Sequence, residues 1–294
     1  MKASAATVSG TLLREQTALA LYELTVIDGE LQATSTSTET PFQATEYSRF
    51  KYGDYAQTVQ YGSLLAEALG AHFGEMLEGR SGEQIVLSGT PYKSMPNAAK
   101  LLAGVAERQL AARGFATTVG RIYQHRLAEG DYGTLSQAMR DERNRQKKYF
   151  FDPSDFAGKH VVVVDDVRIT GSIERSVLRL LGDINWLSLT IINLVRLDPE
   201  VSLRNPQIED TLNHASVCSL ADLLPLMAAR DQFVLITRTV KRILEADPSE
   251  LREFLSVLEP ARRTELYLAA VDDGYSTMER YAQSFQLLTE FYPF

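Results

Sequence analysis

Two adjacent carboxylates, Asp165 and Asp166, follow four consecutive valines, Val161 to Val164. A β-branched run of this kind suits a strand buried on both faces inside a parallel sheet. Paired acids at the carboxyl end of such a strand are costly unless a cation or hydrogen-bond donors meet them. The chain continues Arg168, Ile169, Thr170, Gly171, Ser172 and then a helical pattern with Ile173, Val177, Leu178 and Leu181 apolar and Gly182 placed to end it. Free N–H groups and hydroxyls at a helix N-terminus suit a phosphate. The acids beside them suit a diol or a metal ion. A phosphate next to a diol is what a ribose 5-phosphate offers. A Walker B strand would require a GxxxxGK[ST] partner, which the chain lacks. A receiver domain would carry its acidic pair near its start, whereas about 100 residues of α/β pattern come first here.

The stretch from His160 to Ile173 resembles the phosphoribosyl diphosphate (PRPP) signature of type I phosphoribosyltransferases: four apolar residues, two acidic ones, and a loop usually ending Thr-Gly-x-Thr. Here the last hydroxyl is displaced to Ser172, as in the orotate phosphoribosyltransferases. The resemblance implies that Asp165 and Asp166 hold the ribose hydroxyls and, largely through water or those hydroxyls, Mg2+. It implies that Arg168, Ile169, Thr170, Gly171 and Ser172 cradle the 5-phosphate. The loop Gly89–Pro96, GTPYKSMP, is similar to the pyrophosphate loop of the orotate enzymes, which carries a Tyr-Lys pair. By that match Thr90, Tyr92, Lys93 and Ser94 bind pyrophosphate, with Lys93 catalytic alongside Asp165 and Asp166. Ser94 stands where the family has a glycine. One rigidly held ammonium would favour a leaving group as charge develops on it.

A connection of 33 residues, Leu127 to Lys159, precedes the valine strand. Loops of this length inside a compact domain are usually functional or mobile. It holds DERNRQKK at 141–148. In the resembled family a long loop here closes over the site, making Arg143, Arg145, Lys147 and Lys148 candidates. Tyr149 and Phe150 occupy the place of the family's histidine, and a solvated helix from about Thr134 is an equal reading. YSRFKYGD at 47–54 resembles a segment of phosphoribosyltransferase-like proteins from bacterial tellurite-resistance and stress gene clusters; otherwise it reads as a helix lead-in with one aromatic face.

The elements that must position these residues follow from periodicity. A hairpin is expected over Ala20–Ala33, a helix over 55–73, strands near 84, 117, 160 and 186, and a helix from Asn97 to Ala112 stopped by Gly114. The expected fold is α/β, a doubly wound parallel sheet with an appended C-terminal helical region. The chain divides into an N-terminal extension or hairpin (1–45), a phosphoribosyltransferase-like domain (46–204) and a helical domain (205–294). The last block carries helical stripes, Asp247 as an N-cap before Pro248, and His214 as a lone loop histidine. It reads as an added domain or a dimerisation element, and a homodimer is expected.

Over 294 residues the net charge is −8, which argues against broad nucleic-acid binding. A phosphate-rich ligand must therefore be met by local cations. The single cysteine, Cys218, reads as a small buried apolar residue and excludes an internal disulfide. No apolar run reaches the ~18 residues of a membrane span, and a cytoplasmic protein is expected. The function the resemblance implies is Mg2+-dependent transfer of ribose 5-phosphate from PRPP to a nitrogenous base with release of pyrophosphate. The alternatives are a non-catalytic PRPP- or nucleotide-sensing regulator and a phosphoribosyl or nucleotide hydrolase.

Overall fold

The computed structural model describes residues 15–27, 30–80, 82–125, 148–198, 200–201, 207–229 and 231–292. A six-stranded sheet runs through its centre in the order β2-β1-β8-β7-β3-β4. Its strands are β1 (Glu15–Ile27), β2 (Glu30–Ser35), β3 (Ile85–Gly89), β4 (Thr117–Val119), β7 (His160–Arg168) and β8 (Ser188–Leu197). All neighbours are parallel except β1 and β2. β5 (Tyr123–His125) and β6 (Lys148–Phe150) form a separate antiparallel pair. The single strand expected near 117 is thus two, broken where Gly120 packs against Phe156. The hairpin of β1 and β2 forms as expected, but β1 also pairs along β8, so the N-terminal segment extends the main sheet.

β7 shows why four valines stand together. Val162 and Val164 enter the core that holds α2 (Tyr55–Met76) and α3 (Ala98–Ala112), while Val161 and Val163 enter a second core with Val177, Leu181 and Trp186 on the other face. Alternate side chains of a strand point to opposite faces, so only a strand covered on both sides buries all four. Full burial of each such side chain contributes about 1.5–3 kcal/mol. The expected ends also form: Asn97 Oδ1 accepts from Lys100 N–H at 2.9 Å to cap α3, and Gly114 stops it at φ +92°.

The C-terminal block is helical. It comprises α5 (Ile208–Asn213), α6 (Leu220–Ala228), α7 (Thr237–Leu244), α8 (Pro248–Val257), α9 (Pro260–Asp272) and α10 (Ala282–Glu290); α4 (Ser172–Leu181) belongs to the sheet layer. Asp247 caps α8 through Ser249 N–H at 2.9 Å, as its spacing before Pro248 implies. These helices have their own core around Leu223, Ile243, Leu255 and Leu266. The block also docks on the sheet layer. Ile208, Leu212 and Ile236 join the sheet core, and Tyr52 joins the helical one. The turn after α1 (Ala44–Lys51) is clamped by Val234 N–H to the Gly53 carbonyl at 2.9 Å and Tyr55 N–H to the Gln232 carbonyl at 2.8 Å. At Gly53, φ is +99° and a Cβ would collide with the Val234 carbonyl, so glycine is required there. Cys218 is exposed, contrary to its small-buried reading, because it lies in the loop ahead of the capping box of α6.

Candidate functional site

The carboxyl end of β7 opens into a cavity of about 280 Å3 whose walls include Asp165, Asp166, Arg168, Thr170, Gly171 and Ser172. Strand, acids and turn therefore converge as their order in the chain implies. Gly171 sits at φ +67° as the N-cap residue of α4 and offers no capping side chain. The first N–H groups of a helix lack intrahelical acceptors, and here no N-cap side chain covers them. A Cβ at Gly171 would approach Arg168 Nη2 at 3.2 Å. The loop is braced from both sides: Arg168 Nε donates to Glu174 Oε2 at 2.6 Å, and Arg175 Nη1 donates to the Thr170 carbonyl at 2.8 Å. Thr170 and Ser172 are exposed, so their hydroxyls are accessible. Ile169 packs against the sheet core.

The two acids are not equivalent. Asp165 is buried and accepts from Asp166 N–H at 3.0 Å. Burial pushes its carboxyl well above the usual carboxylate range; Lys51 opposes that shift and Glu209 adds to it. Asp166 forms an ion pair with Lys51, whose side chain is buried at the end of α1. Burial pushes the Lys51 ammonium down, and Arg238 pushes it further, while Glu209 and Asp165 hold it up. Thus a buried cation meets the acid pair, as the desolvation cost of adjacent carboxylates requires. Lys51 lies in the 47–54 segment, and its cationic character was visible in the sequence; nothing local placed it beside a strand end more than 100 residues away.

The loop after β3 behaves differently. Thr90 is buried and lines the cavity, held by Asn97 Nδ2. Lys93 and Ser94 turn towards the C-terminal helices. Lys93 Nζ donates to the Asp273 carbonyl at 2.7 Å, Ser94 N–H donates to Asp273 Oδ1 at 3.0 Å, and Ser94 Oγ donates to the Asp272 carbonyl at 3.1 Å. The ammonium sits where α9 ends, a position that favours cations. Tyr92 and Tyr123 flank the Arg121 guanidinium, at 4.5 and 3.9 Å from their ring centres. The loop candidates Arg143, Arg145 and Lys147 lie outside the described residues, as does the helix considered from Thr134; Lys148 begins β6.

A larger cavity, about 510 Å3, adjoins the first and shares Thr90, Asp165, Asp166 and Ile173 with it. Its far wall is helical: His214 follows α5, and Arg238, Lys241 and Arg242 lie on α7. The histidine is held by Tyr52 Oη at 3.1 Å and by Asp210. So the C-terminal block, read from its stripes as an added domain or dimerisation element, forms part of the site wall. Its apolar periodicity was legible, but the cavity-facing cations carry no local signal.

The arrangement offers an uncapped helix end, exposed hydroxyls and a buried acid pair within one cavity, which can take a phosphate at one end and hydroxyls at the other. No curated protein sequence matches the chain. Among solved structures it is similar to the hypoxanthine-guanine phosphoribosyltransferase of L. donovani, at 15% identity over 51% of this chain and 78% of that one, with a TM-score of 0.36. It is similar to a hypoxanthine phosphoribosyltransferase of Staphylococcus aureus at 17% identity, over 48% and 75%, with a TM-score of 0.31. A hypoxanthine-guanine phosphoribosyltransferase of Bacillus anthracis matches at 15% identity over 55% and 75%, with a TM-score of 0.31. The model of one family, PRTase ComF-like, matches residues 23–288, nearly the whole chain, and the protein belongs to that phosphoribosyltransferase-like family.

Proposed function

We propose that the cavity at the end of β7 binds PRPP and that the protein transfers its ribose 5-phosphate to a nitrogenous base, releasing pyrophosphate. The observation that carries this reading is the shared cavity of the acid pair and the 168–172 turn. The α4 N–H groups, with Thr170 and Ser172, hold the 5-phosphate, and that remote binding energy positions the anomeric carbon. Asp165 and Asp166 accept hydrogen bonds from the ribose hydroxyls. The Asp166 carboxylate favours the cationic character that grows at the anomeric carbon as the leaving group departs.

Among the described residues no group of three or more His, Cys, Asp or Glu side chains is placed to hold a metal ion. Mg2+ is commonly held by one or two carboxylates together with substrate phosphates and water. Asp165 and Asp166 fit that mode, with PRPP supplying the remaining oxygens. Bound there, Mg2+ would neutralise charge on the departing diphosphate.

A second reading, a non-catalytic PRPP or nucleotide sensor, is favoured by two contacts: Lys93 is anchored on Asp273, and Lys51 occupies Asp166. Calorimetric titration with PRPP and Mg2+, run beside a pyrophosphate-release assay over a panel of bases, separates the readings. Binding with release supports transfer. Binding without release supports the sensor, and ribose 5-phosphate freed from a nucleotide by water supports a hydrolase. Absence of heat with PRPP overturns the transfer reading.

A further inference from the structure

We propose that α7, not the loop after β3, grips the diphosphate of the ligand, through Arg238, Lys241 and Arg242. The inference rests on PRPP as the ligand of the β7 cavity and adds where its second charged end goes. PRPP carries phosphate groups on opposite sides of its ribose, so a site that holds the 5-phosphate on α4 needs cations beyond the acid pair. The larger cavity lies there, since it shares Asp165 and Asp166 with the smaller one and continues to α7.

The spacing of 238, 241 and 242 is i, i+3, i+4, which places all three side chains on one helical face. The other face, with Val240, Ile243 and Leu244, is buried. The helix is thereby fixed by its core side and presents its cations to the cavity. Arg238 bonds the Tyr52 side chain and meets Glu209 at 3.4 Å, longer than the usual 2.7–2.9 Å of a charge-assisted bond, so a diphosphate oxygen can compete with Glu209 for it. Arg242 donates through Nη2 to the Cys218 carbonyl at 2.7 Å, and its Nε is buried with no hydrogen-bond partner.

The acids on this wall are already engaged. Asp210 Oδ1 lies 3.1 Å from His214 Nδ1, and Glu245 accepts from Tyr281 Oη at 2.9 Å. Lys93, the cation the loop pattern pointed to, lines neither of the two cavities that share the acid pair and donates instead to the Asp273 carbonyl. With a net charge of −8 the overall field does not attract a polyanion, and this face supplies the local positive charge that such a ligand needs.

The test is calorimetry on the full chain with Mg2+, using PRPP and ribose 5-phosphate as separate titrants. The variants are Lys241→Gln, Arg242→Gln, Lys241→Arg and Lys93→Gln. Lys241→Gln and Arg242→Gln are each expected to weaken PRPP at least about tenfold, the scale of one charged hydrogen bond, while ribose 5-phosphate stays within about twofold. Lys241→Arg should recover most of the PRPP affinity. If Arg242→Gln does not fold, Lys241→Gln and its Arg rescue carry the test. Unchanged PRPP affinity in Lys241→Gln, or the large loss falling on Lys93→Gln instead, overturns the inference. Failure of the wild-type protein to bind ribose 5-phosphate would instead remove the reading beneath it.

Discussion

Two loops in this protein follow buried parallel strands and resemble phosphate-binding loops, yet they end in opposite situations. The turn after β7 keeps its hydroxyls and helix end facing a cavity. The loop after β3 spends its lysine, one serine hydroxyl and two backbone N–H groups on Asp272 and Asp273 at the end of α9. The difference lies in what satisfies the polar groups. After β7, neighbours in sequence, Glu174 and Arg175, brace the turn from within. After β3, the partners come from about 180 residues away. A loop braced locally can leave its donors open to a ligand; one recruited to join two layers cannot use the same donors for both.

Substitutions at the two ends should separate along this line. The largest effect is expected at Lys51. Removing one member of a buried ion pair strands the other, so Lys51→Met should cost about 3 kcal/mol in urea denaturation. The double variant Lys51→Met with Asp166→Leu should recover part of that loss. Asp166→Asn should abolish PRPP binding and also cost some stability, because it leaves Lys51 buried; the loss should be smaller than for Lys51→Met, since an ammonium already pushed down by burial sheds its proton more easily.

Next comes the turn itself. Gly171→Ala forces a side chain into the left-handed region and against Arg168. It should cost about 1–2 kcal/mol and weaken ribose 5-phosphate binding, which calorimetry would read. Full affinity in that variant would erase the contrast between the loops.

The pH dependence is read as a slope and not as a single loss. Asp165 is raised in the folded state above its ordinary value of 3.8, so between those two pKa values the folded protein holds more protons than the unfolded chain. Stability from this group is therefore greatest below the unfolded pKa and is lost as pH rises through the folded one. Its slope is up to about 1.4 kcal/mol per pH unit. Denaturation across this range should show that slope in the wild type, and Asp165→Asn should flatten it.

The smallest effect is expected at Lys93. Lys93→Ala removes one hydrogen bond and a favourable charge at a helix end, about 1 kcal/mol in thermal or urea unfolding. Ribose 5-phosphate affinity should not change. A large loss of that affinity would place the β3 loop back in the same site as the β7 turn.

The contrast also explains what could be read from the chain. The β7 turn was legible because strand, acids, glycine and helix are contiguous, and each has a local physical reason. The helix caps at Asn97 and Asp247 were legible for the same reason. Lys51 was not, although its segment was singled out, because an ion pair with Asp166 depends on how α1 lies across the sheet. Nor was β1, read as half of a hairpin, because its pairing with β8 spans the whole domain.

The order of residues along the chain was enough to determine a parallel sheet buried on both faces and a turn into a helix at the end of its valine strand. Periodicity and turn chemistry act over a few residues, so they survive without a structure. Which cations meet the acids, which loop stays open, and that C-terminal helices wall the cavity were decided only by tertiary packing. Those features are distances between segments far apart in the chain, and they arise where two cores settle against each other.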